Sequence, residues 1–260
     1  MAKVKKLKKS NVEEINNSEK NSGKIKDKSP FVFQDSKLKD PLKLRIRDDL
    51  TEKQLGLIEL IKDKGTKVVF LSGPAGSSKT YTAVQAGLEL LNDKRHSEIL
   101  YCRSAIESAS KSLGFLPGSA EDKLQPYLIP LEDKLLEFLD KGAVDFLKKE
   151  QRVKGTVVNY LRGQNFNAKY ILIDEFQNFT YDEAVTILTR IGKFTTMVFI
   201  GDMMQADIKN SGFKRMFEIF DNEKSRENGI FCVEFTTEDI VRSGVCRYIV
   251  ETLEQNKIYN

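Results

Sequence analysis

TKVVFLSGPAGSSKT, residues 66–80, decides the fold. An apolar run, Val68 to Leu71, breaks into a glycine-bearing turn that ends in Lys79-Thr80. The P-loop pattern G-x-x-x-x-G-K-[ST] is met at Gly73, Lys79 and Thr80, with Ser78 standing where the second glycine belongs. Each position has a task. The loop from Gly73 through Pro74, Ala75, Gly76, Ser77 and Ser78 wraps phosphates with backbone N–H groups. Lys79 can place an ammonium on the β and γ phosphate oxygens, and the Thr80 hydroxyl can hold Mg²⁺. The plainer alternative is a Gly-Pro turn between a strand and a helix.

The surrounding sequence repeats the strand-then-helix alternation. A helix is expected from Lys79 through about Leu91, then the strand EILYC, and later the strands YILID and MVFIGD. Continuous apolar strands separated by amphipathic helices predict an α/β fold, a mainly parallel sheet with helices on both faces. The ligand then lies outside the carboxyl ends of the strands, where Asp174 and Asp202 also fall. Upstream, Thr51-Glu52-Lys53-Gln54 reads as a capping box that opens a helix closed by Gly65. The insertion from about Lys111 to Gln164 reads as a helical stretch interrupted by Pro126 and Pro130, a helix from Ala143 to Lys149, and a strand-like RVKGTVVNYL. Further on come a helix from Gly212 to Phe220, a strand IFCVEF and a last helix from Gly244 to Gln255.

At 260 residues, 40% of them hydrophobic, the chain is expected to bury one substantial core rather than two nucleotide-binding lobes. No apolar run has the length of a bilayer span, and the expectation is a soluble, cytoplasmic protein without a membrane partner. Cys102, Cys232 and Cys246 are widely separated and fit reduced core thiols. Residues 1–50 carry 14 Lys+Arg against 8 Asp+Glu, a net of +6, so the other 210 residues, with 28 against 30, come to −2. The basic character belongs to the tail. Residues 1–30 are expected to be a disordered basic tail, either a nucleic-acid-contacting arm or a solubilising segment. Residues 31–50 read as a connecting segment with short extended pieces such as PLKLRI, and one ordered domain is expected over 51–260, beginning near Thr51.

The strand Tyr170 to Ile173 ends in Asp174-Glu175, the form of a Walker B element. Asp174 is the candidate Mg²⁺ ligand, and Glu175 the candidate that orients or deprotonates the attacking water. Gln205, after Gly201-Asp202, has an amide that can accept from that water and donate to a phosphate, whereas Asp202 is equally a sensor or a turn residue. Gln54 can read an adenine edge, complete the capping box, or do both.

These segments together resemble the PhoH-like P-loop ATPases, whose core is similar to the first motor lobe of superfamily 1 helicases. The resemblance covers about Thr51 to Glu254 and rests on GPAGSSKT (73–80), CRSAIES (102–108), SLGFLPG (112–118), YLRGQNF (160–166), DEFQN (174–178), LTRIG (188–192), GDMMQAD (201–207) and FTTEDIVRSG (235–244). It implies a RecA-like fold that binds and hydrolyses ATP with Mg²⁺. It also implies the phosphate and metal roles of Lys79 and Thr80, the Walker B pair Asp174 and Glu175, and a sensor at Gln205. Arg103 and Arg162 resemble arginines facing nucleic acid or a neighbouring subunit, the alternative being structural arginines. Ser78, Ser104, Gln164 and Met203-Met204 depart from the family pattern.

An arginine finger contributes about 10³–10⁵ in rate to phosphoryl transfer. With one lobe, the expectation is a homo-oligomeric ring, such as a hexamer, in which Arg242, Arg247 or Arg190 reaches a neighbour's site. Two functions remain open. One is a motor or remodeller on single-stranded RNA or DNA, with RNA preferred; the other is a weakly hydrolysing nucleotide-dependent assembly switch.

Overall fold

In a computed structural model, the described residues are 41–104, 120–161, 165–203, 205, 208, 210–241 and 243–257. The chain divides into two units, Met1–Val32 and Phe33–Asn260, and all described residues lie in the second. The tail 1–30, the motif SLGFLPG, Arg162, Gln164 and Arg242 lie outside the described residues.

The elements run α1 (Glu52–Lys62), β1 (Val68–Ser72), α2 (Lys79–Asn92), β2 (Glu98–Arg103), α3 (Ala120–Phe138), α4 (Lys141–Lys149), β3 (Val153–Val157) and α5 (Val158–Leu161). They continue with β4 (Lys169–Asp174), α6 (Tyr181–Leu188), β5 (Thr196–Gly201), α7 (Phe213–Phe220), α8 (Glu223–Glu227), β6 (Ile230–Glu234) and α9 (Gly244–Lys257). Short 3₁₀ turns lie at Phe176–Asn178 and Thr237–Asp239. The six strands form one sheet in the order β3-β2-β4-β5-β1-β6, and every pairing is parallel.

The apolar runs of the central strands follow from burial on both faces. Val69, Leu71, Tyr101, Leu172 and Val198 face a core built with α1 to α4, whereas Phe70, Cys102, Ile173 and Phe199 face a second core with α5, α6 and α7. Consecutive strand residues therefore alternate between two apolar layers rather than between core and water.

The strand order positions the site. From β1 the chain crosses over β5 and β4 to reach β2, so β4, β5 and β1 are neighbours although they are far apart in sequence. Their register aligns Ser72 with Gly201 and Ile173 with Phe199. The loop after β1, the carboxylates ending β4 and the Gly-Asp ending β5 thus open onto one edge.

Three expectations are corrected. Helix α3 runs unbroken through Pro126 and Pro130. Two interior prolines cost about 6 kcal/mol, but Leu128, Leu131, Leu135 and Phe138 of the same helix are buried in the first core. Their burial contributes about 6–12 kcal/mol, enough to hold the helix continuous. Order also begins before Thr51. Leu42 N–H donates to Asn92 Oδ1 (2.8 Å), Asn92 Nδ2 donates to Leu42 O (3.1 Å), and Arg45 N–H donates to Phe138 O (2.8 Å). Leu42, Leu44 and Leu50 pack against the first core, so the two leucines of PLKLRI hold this segment to the body, while Ile46 is exposed. RVKGTVVNYL also divides, giving β3 and then the single turn α5.

Candidate nucleotide site

The loop between β1 and α2 is tied internally. Ser77 Oγ donates to Pro74 O (2.8 Å), and Lys79 Nζ donates to Gly73 O and Pro74 O (2.7 Å each). Gly76 has φ 86°, and Ser78, the N-cap of α2, has φ 58° and ψ 24°. Ser78 therefore adopts the left-handed conformation that glycine takes without penalty, at a cost of about 1 kcal/mol. Its side chain makes no cap hydrogen bond, leaving the N-terminus of α2 directed at the cleft as an anion site.

Opposite this loop, β4 delivers the carboxylates. Asp174 is 8% exposed; Tyr101 OH donates to its Oδ2 (2.7 Å) and the Glu175 N–H to its Oδ1 (3.0 Å). Burial holds the Asp174 carboxyl above the usual carboxylate range, and the Tyr101 hydrogen bond opposes that shift. Glu175 turns off the strand at φ 53°, a strained conformation of the kind found at functional sites. Its two oxygens are held separately: Arg103 Nη2 lies 3.0 Å from Oε1, and Gln177 Nε2 donates to Oε2 (2.6 Å).

Gln177 reaches further. Its Oε1 accepts from the Asp202 N–H (3.1 Å), so one buried amide connects the end of β4 to the end of β5. A Cβ at position 201 would meet that Oε1 at 2.8 Å and Phe213 at 2.7 Å, which accounts for Gly201. In the sequence Gln177 stands within DEFQN without an assigned role, and its one signal is an amide three residues beyond Asp174.

An open cleft of ≈ 250 Å³ brings together Gly76, Ser78, Lys79, Thr80, Asp174 and Gln205. Burial pushes the Lys79 ammonium down from the ordinary lysine range, while Asp202, Asp174 and Glu175 push it up. A cation facing three acidic groups is suited to a polyphosphate carrying its own metal ion. The donor set fits Mg²⁺: the Thr80 hydroxyl and the Asp174 carboxylate are hard oxygens on one cleft, and Mg²⁺ binds through one or two carboxylates plus phosphate oxygens. Among the described residues no group of three or more His, Cys, Asp or Glu is placed to hold a metal ion.

Gln54 is fully buried. Its Nε2 donates to Ser77 O (3.0 Å) and Asp239 O (2.7 Å), and its Oε1 accepts from the Thr51 N–H (2.9 Å). The capping box is present, but both amide protons are engaged and the residue is a strut between the loop and the C-terminal FTTED segment rather than a wall of the cleft. Of the three arginines considered for a neighbour's site, Arg247 donates from Nη2 to Ile240 O (2.8 Å) within its own chain. Arg190 is half-buried, and its Nε has no hydrogen-bond partner among the described residues. The three cysteines are free, with Cys102 buried and Cys232 and Cys246 half-buried. Among the described residues no helix is long and apolar enough to cross a membrane.

A parallel sheet with a phosphate loop after β1 and paired carboxylates on a nearby strand end defines a P-loop nucleotide-binding protein. The profile of the family described as PhoH-like protein matches residues 46–254, and the chain belongs to that family. It is 33% identical to the PhoH-like protein of Bacillus subtilis over 192 residues, covering 74% of this chain and 60% of the relative. It is 34% identical to the PhoH-like protein of Mycobacterium tuberculosis over 187 residues (71% and 52%), and 30% identical to Protein PhoH of Escherichia coli over 201 residues (75% and 55%). The chain thus spans little more than half the length of the curated relatives it matches.

Proposed function

We propose that the protein hydrolyses ATP with Mg²⁺ and couples turnover to action on single-stranded nucleic acid, RNA in preference, as a homo-oligomeric ring. The observation that carries the hydrolytic reading is the Gln177 bridge. It links the carboxylate that would face the attacking water to the strand end that would sense the γ-phosphate.

In this reading Lys79 leaves the loop carbonyls for the β and γ oxygens, and the N–H groups at the start of α2 bind the phosphate chain. Thr80 and Asp174 hold Mg²⁺, which neutralises phosphate charge when bound. Glu175, fixed by Arg103 and Gln177, orients the attacking water and accepts its proton. Gln205, exposed at the rim of the cleft, contacts the γ-phosphate and carries its loss toward β5.

Self-association is supported by α9, where Val245, Tyr248, Ile249 and Leu253 are 68%, 68%, 50% and 58% exposed. Their spacing makes one apolar stripe, a face that a second copy would cover. A neighbour's arginine, with Arg242 as the candidate, would then complete the site.

Ser78 favours a second reading, the slowly hydrolysing assembly switch, because its strained backbone and its Cβ both lie at the phosphate loop. ATP hydrolysis measured with and without single-stranded RNA, at low and raised salt, separates the two. A motor shows stimulation that salt removes. RNA-independent, near-zero turnover with nucleotide-dependent assembly supports the switch, and turnover unaffected by Lys79→Ala rejects both.

A further inference from the structure

We propose that Arg47 is the platform on which the base of the bound nucleotide stacks. The inference rests on the nucleotide-binding reading of the cleft and assigns the part of the ligand that the phosphate loop does not hold.

Arg47 lines the same cleft as Lys79 and Thr80, although it belongs to the segment that leads into α1. Its guanidinium lies over the Tyr81 ring, 5.1 Å from the centroid. Tyr81 immediately follows Thr80, its hydroxyl accepts from the Arg47 N–H (3.0 Å), and its ring packs on Phe138 at 4.3 Å. The platform is therefore anchored to the first turn of α2, one residue beyond the phosphate loop.

Two of the five guanidinium donors, on one edge of the plane, are committed. Arg47 Nε donates to Asp49 Oδ1 (2.8 Å) and Nη2 to Asp49 Oδ2 (2.7 Å), a two-point fork that fixes the plane of the guanidinium and offsets its charge. With Asp49 neutralising this guanidinium, charge attraction for a phosphate is reduced here. The side chain, 36% exposed, offers a flat, weakly hydrated face supported by an aromatic ring. A planar π-system is the ligand chemistry that such a face recognises, and the nucleobase is the planar part of the ligand this cleft takes. Gln54, open in sequence to an adenine contact, a capping-box role or both, has both amide protons bonded elsewhere. Stacking reads the face of a base and not its edge, so purines bind ahead of pyrimidines with little choice between adenine and guanine.

The test compares Kd for ATP with Kd for inorganic tripolyphosphate, each with Mg²⁺, by calorimetry on the full chain and on Arg47→Ala and Arg47→Lys. The wild type binds ATP about tenfold more tightly than tripolyphosphate, and both variants lose that advantage while keeping tripolyphosphate affinity. Arg47→Lys keeps the charge and loses the plane. A preserved ATP advantage in either variant overturns the proposal: in Arg47→Ala because the side chain is then irrelevant, in Arg47→Lys because charge alone is then sufficient. Failure of the wild type to bind both ligands overturns the nucleotide reading itself, a result distinct from failure at Arg47.

Discussion

Arg103 and Glu175 meet at the ends of adjacent strands, with Nη2 3.0 Å from Oε1. Parallel register makes the contact: Arg103, the last residue of β2, lies opposite Asp174, the last of β4, and Glu175 turns back over that edge at positive φ. The pair is about one-third exposed on each side, so its contribution to stability is at most about 1 kcal/mol. Its consequence is orientation of the Glu175 carboxylate.

Arg103→Gln is accordingly expected to lower kcat for ATP by about tenfold or more, with KM and Tm nearly unchanged. Steady-state kinetics and a thermal melt check this. A variant with unchanged or raised kcat contradicts the positioning role.

Ser78→Gly relieves a left-handed residue at φ 58°. The variant is expected to melt about 1–3 °C higher, since about 1 kcal/mol shifts Tm by only a few degrees in a chain of this size. A lower Tm would mean that the serine side chain contributes more than its backbone conformation costs. If turnover also rises, crowding at the loop is what slowed it.

His96 gives the stability a pH dependence with a definite sign. Burial first, then the nearby charges of Arg95 and Lys67, push its pKa down from 6.5 to about 4. The unfolded chain takes up this proton below pH 6.5 while the folded chain resists until about pH 4. The term is therefore absent above pH 6.5, and stability is lost as pH falls through this window, by up to about 3 kcal/mol. Denaturant melts across that range should be steeper in pH for the wild type than for His96→Gln, and equal slopes contradict this assignment.

The apolar stripe on α9 offers a test of self-association. With ATP and Mg²⁺, light scattering is expected to give a multiple of 29.6 kDa for the wild type and the single-chain mass for Tyr248→Glu/Leu253→Glu. Because both side chains are more than half exposed, the double variant should remain folded. A wild type that runs at the single-chain mass removes the ring from the account.

The phosphate loop and the two acidic strand ends were legible in the sequence because each is a local signal, an apolar run closed by glycine or aspartate. The parallel sheet followed from the same runs. Long-range contacts left no such trace. Tyr101 is 73 residues from the Asp174 it bonds, and Gln54 is 185 residues from Asp239. The role of Gln177 depends on the adjacency of β4 and β5, which only the strand order supplies. The prolines of α3 misled in the opposite direction, since a strong local breaker yielded to burial of the helix face. PLKLRI read as a connector because charges separate the leucines that hold it to the core.

In the proposed mechanism Glu175 acts on the water attacking ATP bound at the phosphate loop. Glu175→Gln keeps the shape of the side chain and removes the base, so ATP binding and single-turnover hydrolysis should be measured on the same preparation. Near-wild-type ATP affinity is expected, with turnover reduced by about a hundredfold or more. Hydrolysis at the wild-type rate by this variant would contradict it.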